Sequence, residues 1–142
     1  MRTIKLPAKF DFDFQLFGII SKAKEYKLSW AINNSTDLEL KKEDDIHVGL
    51  KNDQELRVSN FKCKTETCSF YLIKNKLEEE IEGEQIIFAP SLKSFDFLLK
   101  VESDKGTGFV NNLYNGIRSI DCVDSVLKLD VDKIKEKEYF LL

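Results

Sequence analysis

Ala89-Pro90-Ser91-Leu92-Lys93-Ser94-Phe95-Asp96-Phe97-Leu98-Leu99-Lys100-Val101 is the stretch whose reading decides the fold. Proline fixes its own φ and has no N–H, so Pro90 marks a turn. The aromatic and aliphatic run from Phe95 to Val101 predicts a strand. Asp96 stands between two rings, and a carboxylate taken out of water is costly without a partner. If Phe95 and Phe97 face the core, Asp96 points to the other side of the sheet. If that side is covered, Asp96 needs Lys93, Lys100 or a cluster of backbone N–H groups, and its expected role is to anchor the Pro90 turn.

Outward from this stretch, Asp104–Gly108 reads as a loop, and Phe109, Leu113, Gly116-Ile117 and Ile120 recur at helical spacing. Ser125-Val126-Leu127-Lys128-Leu129 then predicts a strand, giving a C-terminal strand–helix–strand unit of βαβ or split-β type. Asp130 is placed to cap a short helix over 131–136. Tyr139-Phe140-Leu141-Leu142 is an apolar tail that is expected to dock on the body, with a partner as the alternative.

Toward the N-terminus, Phe10–Leu16 alternates apolar and polar residues, and the pattern thickens at Phe17-Gly18-Ile19-Ile20, as for a strand covered on both faces or bent at Gly18. Residues 24–33 predict a helix in which Tyr26, Trp30 and Asn33 share a stripe and Leu28, Ala31 and Ile32 extend the apolar face. Residues 45–50, 55–61 and 69–74 read as antiparallel strands of a meander. Glu78–Glu84 reads as a solvated connector, and Gln85–Phe88 as a short strand.

With 142 residues, 42% hydrophobic and 33% charged, the chain suits one globular domain over 1–142. The expected class is α+β, a mainly antiparallel sheet with two to three short helices. Eleven Phe against one Trp and one Met predict an aromatic core. A net charge of −3 with scattered Lys and Arg argues against binding dominated by nucleic-acid phosphates. The first residues lack a signal-peptide pattern, and no window spans a bilayer; the expectation is a cytoplasmic protein with no membrane partner. Cys63, Cys68 and Cys122 read as reduced thiols. A Cys63–Cys68 bridge requires a turn at 64–67, since an extended strand holds them about 16 Å apart.

Catalytic machinery is not expected. His47, the single histidine, lies between Ile46 and Val48 and should face water. No ligand spacing joins it to the cysteines, so neither metal nor cofactor is expected. Asp11 and Asp13 share a strand face, and with Asp44 and Asp45 they read as solvated carboxylates. The 104–108 loop before a helix reads as a turn with Thr107 as N-cap, with an anion site as the alternative.

Pro90 and Asp96 fall in register with the Pro and Asp of the signature of the IPExxxVDY family, small proteins of Bacteroidetes-type bacteria. Lys93 lies among the free positions, and Ala89, Ser91, Phe95 and Phe97 replace the signature's Ile, Glu, Val and Tyr. The run 14–19 followed by Glu25-Tyr26-Lys27-Leu28-Ser29-Trp30-Ala31-Ile32-Asn33 also resembles the family's opening strand and helix. The resemblance implies a cytoplasmic protein of unknown function, with Pro90, Lys93, Asp96 and Phe97 as motif residues. The functional expectation is a non-enzymatic protein acting through protein–protein contact, with Trp30, Tyr139 and Phe140 as candidate partner-binding residues and the oligomeric state open. One alternative is an RNA- or ribosome-associated factor stacking bases on Phe12, Phe14, Phe61 or Tyr71, meeting nucleic acid indirectly if at all. Another is a small-molecule-binding regulator with a pocket near Asp96 and Gly106.

Overall fold

Phe95 and Phe97 do not share a face, and the reason organises the molecule. In the computed structural model, which describes residues 13–49 and 55–142, the strand begins only at Phe97. Phe95 still belongs to the Pro90 turn and packs on the side opposite to Phe97.

β1 (Gln15–Ile20) leads into α1 (Glu25–Ser35). β2 (Lys41–Lys42), β3 (Ile46–Gly49), β4 (Glu55–Val58), β5 (Asn60–Lys64), β6 (Cys68–Lys74), β7 (Lys76–Ile81) and β8 (Glu84–Ile87) follow. A 3-10 turn, Pro90–Leu92, precedes β9 (Phe97–Ser103), α2 (Gly106–Arg118) and β10 (Ser125–Leu129). Two more 3-10 turns, Val131–Lys133 and Lys137–Phe140, come last.

The main sheet has the order β10-β1-β9-β6-β5-β2, and every neighbouring pair is antiparallel. Since β1 is antiparallel to both β9 and β10, those two run parallel to each other with α2 as their crossover. The C-terminal unit is therefore the split form, with β1 inserted between its strands. The fold is single-domain α+β, as the patterning predicts.

Both faces of this sheet are covered, which explains the unbroken apolar runs in β1 and β9. On one face Phe17, Ile19, Phe97, Leu99 and Val101 pack with Leu28 and Ile32 of α1 and Leu113 and Ile117 of α2. On the other, Leu16, Ile73 and Leu98 meet Leu56 and Val58 of β4, Leu77 of β7, Phe88, Phe95, Val131, Ile134 and Phe140. Hairpins β3–β4 and β7–β8 thus roof the second face. The 55–61 run is two strands, not one: it switches sheets at Ser59, giving β4 to the roof and β5 to the main sheet. Glu78–Glu84 is likewise no connector but most of hairpin β7–β8, turned at Glu82 (φ 54°) and Gly83 (φ 82°). Two consecutive left-handed residues match the turn that right-twisted strands prefer. The glutamates project from its exposed arms, so a charged stretch remains a strand.

A buried amide secures the Pro90 turn. Asn75, between β6 and β7, is fully buried. Its Nδ2 donates to the Leu92 and Phe95 carbonyls, 2.9 Å each, and its Oδ1 accepts the Ala89 N–H at 2.9 Å. Its backbone donates to Asp96 O (2.9 Å) and accepts from Phe88 N–H (2.7 Å). So held, the turn lays the Phe95 ring on β1 at Gly18, where a Cβ would lie 2.6 Å from the ring.

Asn75→Ala is expected to lower the unfolding free energy by about 2–4 kcal/mol, read from urea denaturation, because three buried backbone groups lose their partner. Gly18→Ala should cost about 1–3 kcal/mol by overpacking, and much less in a Phe95→Ala background, where the ring is gone. Additive costs in that double variant would contradict the ring contact.

Candidate functional site

Among the described residues, the most exposed large rings lie on α1. Its inner stripe buries Leu28, Ser29 and Ile32. Tyr26 and Trp30, one helical turn apart, project outward, and each is 67% exposed. Leu28 and Ile32 take the inner positions, and the part of the stripe formed by Tyr26 and the partner candidate Trp30 turns outward. Exposed Lys22, Lys24 and Lys27 flank the rings, with Lys24 Nζ 3.8 Å from Glu78 Oε1.

The helix that carries these rings is firmly seated. Thr36 ends it, donating from N–H (2.9 Å) and Oγ1 (2.7 Å) to Ile32 O. Asn33 exchanges two side-chain hydrogen bonds with the Leu40 backbone, at 2.8 and 3.1 Å. α2 approaches so closely that a Cβ on Gly116 would lie 3.0 Å from Ser35 O.

Of the other partner-binding candidates, Tyr139 is 41% exposed and its ring lies 5.5 Å from that of Phe88. Phe140 is fully buried between the Phe14 and Phe88 rings and is unavailable to a partner in this fold. The tail docks through that residue, while Leu141 and Leu142 stay partly exposed.

Asp96 is an anchor. Its Oδ2 accepts the Ser21 N–H at 2.9 Å, and its Oδ1 lies 3.4 Å from Lys76 Nζ. Neither Lys93 nor Lys100 is its partner. Lys100 is buried on the second face, 2.7 Å from Glu102 Oε1 and over the rings of Phe14 (4.9 Å) and Tyr71 (5.4 Å). Ring faces and a carboxylate together replace the water that this ammonium has lost. Of the motif residues, Pro90 opens the 3-10 turn, Lys93 closes it and Phe97 begins β9 inside the core. Ser91, standing where the signature has Glu, donates its N–H (3.0 Å) and its hydroxyl to the Glu136 carboxylate.

Of the rings named for base stacking, Phe14 and Phe61 are buried, Tyr71 lies between Lys62 and Lys100, and Phe12 is outside the described residues. His47 is exposed on β3 beside Glu55 of β4. Asp13, Asp44 and Asp45 are exposed, Asp45 paired with Lys42 at 3.2 Å, and Asp11 lies outside the described residues. No group of His, Cys, Asp and Glu among the described residues is arranged to hold a metal. α2 begins at Gly106 (φ 82°) with Lys105 as N-cap, so Thr107 lies within the first turn and caps nothing. A cleft of about 210 Å³ at that end is lined by Gln15, Ser103, Gly106, Thr107, Asn111 and Lys128, and Asp96 is not part of it. No described helix is long and apolar enough to cross a membrane.

The three cysteines are free thiols. Residues 64–67 do turn the chain, and the β5–β6 hairpin brings Cys63 and Cys68 onto one core face, diagonal rather than opposite in register. Burial pushes the Cys68 thiol up, but the Ser103, Thr67 and Thr65 hydroxyls and the Lys105 ammonium outweigh it and hold the thiol below its ordinary value. Its Sγ lies 3.2 Å from Ser103 Oγ and 3.5 Å from Thr67 Oγ1.

The residues missed in the sequence are Asn75 and Ser21, while Lys100, named there for Asp96, takes Glu102 and two rings instead. Asn75 resembles any polar residue at a strand boundary, although an Asn flanked by apolar runs is a signal worth following. Comparison with family models, with curated proteins and with solved structures finds no match for the chain.

A lowered thiol pKa fixes a sign. The unfolded chain releases the Cys68 proton at the ordinary value and the folded chain at a lower one, so folding is favoured increasingly as pH rises between the two. The gain is fully present above the unfolded value and is lost as pH falls through the folded one. Urea midpoints measured from neutral pH to about pH 9 should therefore show a rising component that Cys68→Ser removes. A parallel pH dependence in that variant would contradict the assignment.

Proposed function

We propose that this chain is a non-enzymatic protein that works through protein–protein contact, with Tyr26 and Trp30 of α1 as the docking rings. The observation that carries this reading is their shared exposure on a helix whose other side is locked into the core. Trp and Tyr are the side chains most enriched among residues that dominate binding energy, since they bury a large area at the cost of few rotatable bonds. A rigid helix presents them without loop ordering on association. Tyr139, Leu141 and Leu142 are further exposed apolar residues, in the C-terminal tail. Membership of the IPExxxVDY family and a cytoplasmic location belong to the same proposal. What supports them is the shared Pro90 and Asp96, which here hold a turn on which the sheet depends.

Trp30 is the single tryptophan, so its fluorescence reads this surface directly. The free protein should show solvent-exposed emission that is readily quenched by acrylamide, and the emission should move to the blue when a partner binds. Tyr26→Ala and Trp30→Ala should leave stability within about 0.5 kcal/mol, because neither ring is buried. Each should weaken partner binding by about thirtyfold, the scale of a contact hot spot. The readout is recovery of partners with the native and doubly substituted full chains from the source cell at native abundance. A specific partner retained equally by both chains, or none recovered with the native chain, would refute the reading.

A further inference from the structure

We propose that the edge of β10, unpaired among the described residues, is a self-association surface, on which two copies pair β10 with β10 antiparallel about a two-fold axis through Val126. The occupant is a second copy of this chain, and the argument rests on hydrogen-bond parity, edge protection and charge.

Parity identifies the outward groups. Asn75 N–H donates to Asp96 O in the β6–β9 register, so even-numbered residues of β9 bond to β6 and odd-numbered ones to β1. Carrying the alternation across β1 assigns Ser125, Leu127 and Leu129 to the ladder with β1. Val126 and Lys128 therefore direct their N–H and C=O groups away from the sheet. The Tyr114 hydroxyl agrees, since it reaches Val126 O at 3.0 Å from α2. A carbonyl has two lone pairs, and one remains for a partner strand.

The two edges of the sheet are treated differently. β2, at one end, is two residues long and both are lysine, a pattern that discourages strand addition. β10, at the other, is five residues long without proline, and Leu127 is 49% exposed. A cleft of about 330 Å³ runs beside it, lined by Tyr114, Arg118 and residues 123–127.

Charge selects the register. Only alignments that place outward groups opposite each other can form a ladder. Centred on Val126, the two Val126 residues exchange the ladder bonds while the Asp124 N–H stays on Ile20 O at 2.8 Å, and Asp124 of each copy faces Lys128 of the other, giving two reciprocal ion pairs. Centred on Leu127, Asp124 would face Asp130; centred on Lys128, two ammonium groups would meet. Asp124, Lys128 and Asp130 are all exposed, and Lys128 now bonds Asn111 and lies 5.1 Å from the Tyr114 ring centroid. In the Val126 register the Leu127 side chains become diagonal neighbours on the opposite face and shield each other. Such an interface is isologous, the commonest closed form.

Sedimentation of the full chain over a concentration series tests this. The native chain should form a dimer. Asp124→Lys and Lys128→Asp should each raise the dimer dissociation constant by about tenfold or more, as like charges become opposed. The exchange variant Asp124→Lys/Lys128→Asp should restore it. Lys128→Pro should abolish pairing while circular dichroism and melting stay near native, because the N–H it removes lies outside the β1 ladder; Lys128→Ala, which keeps that N–H, should weaken pairing less. Tyr26→Ala/Trp30→Ala should leave the dimer intact, which separates this proposal from the docking rings on α1. A monomer at every concentration, including one that adds a strand from a different protein, overturns the proposal. So does a dimer indifferent to Asp124 and Lys128.

Discussion

Asn75 carries the constraint on which the rest of this structure depends. At the corner where β6 leaves the main sheet, the chain must expose backbone groups in a region that β7, β8 and the Pro90 turn cover from water. An amide side chain meets this requirement because it offers donors and an acceptor together. It closes bonds to Ala89, Leu92 and Phe95 that no water can supply. Leucine at this position would fill the space and leave three polar groups unpaired, and aspartate lacks the donors. The side-chain chemistry of one residue thus fixes where the Pro90 turn sits, and through it where Phe95 rests on Gly18.

The same corner sets the direction of β9. Asp96 receives Asn75 N–H on its carbonyl, gives its own N–H to Ile19 O (2.9 Å) and takes Ser21 N–H on its carboxylate. Three strands are thereby tied within one residue. Ser21 extends the link, since its hydroxyl donates to Cys122 O at 2.6 Å in the segment that leads to β10. A carboxylate suits this point because each of its oxygens accepts without competing for a donor of its own, and Lys76 balances the charge. What looks like an intrusion of charge into an aromatic strand is the junction of β1, β6 and β9.

How far the sequence could be read follows from which interactions are periodic. The split strand–helix–strand unit was legible because Leu113, Ile117 and the 125–129 run repeat with the spacing of their elements. The opening strand was legible as either doubly covered or bent at Gly18 because its alternation fails at Phe17–Ile20, and the structure covers both faces. The division of 55–61 between two sheets was not, since β4 and β5 both alternate and only the paired surfaces distinguish them. Glu78–Glu84 misled because charge correlates with loops, while here backbone pairing holds the hairpin arms with every residue from 78 to 85 exposed. On α1 the sequence singles out Trp30 for a partner but not Tyr26, because both also satisfy the spacing of a buried face. Tertiary cover, not periodicity, decides which of two apolar stripes turns inward. Asn75 belongs to the same class: its partners Ala89, Leu92 and Phe95 are distant in sequence, and nothing local marks it.

The rings on α1 and the edge of β10 are separate parts of one rigid frame. α2 packs against both α1 and β10, and Gly116 and Tyr114 are its contacts with the two. Because α2 lies between them, a partner covering Tyr26 and Trp30 leaves the outward groups of Val126 and Lys128 free. A strand added at β10 likewise leaves the rings exposed. Two-fold pairing would therefore present two ring pairs in a fixed relation, and a bivalent surface gains affinity for a repeated or dimeric target through effective concentration alone. The close seating of α2 on α1 matters for that gain: a loosely held helix would spend it on ordering, and the tight approach at Gly116, where a Cβ would lie 3.0 Å from Ser35 O, limits that freedom.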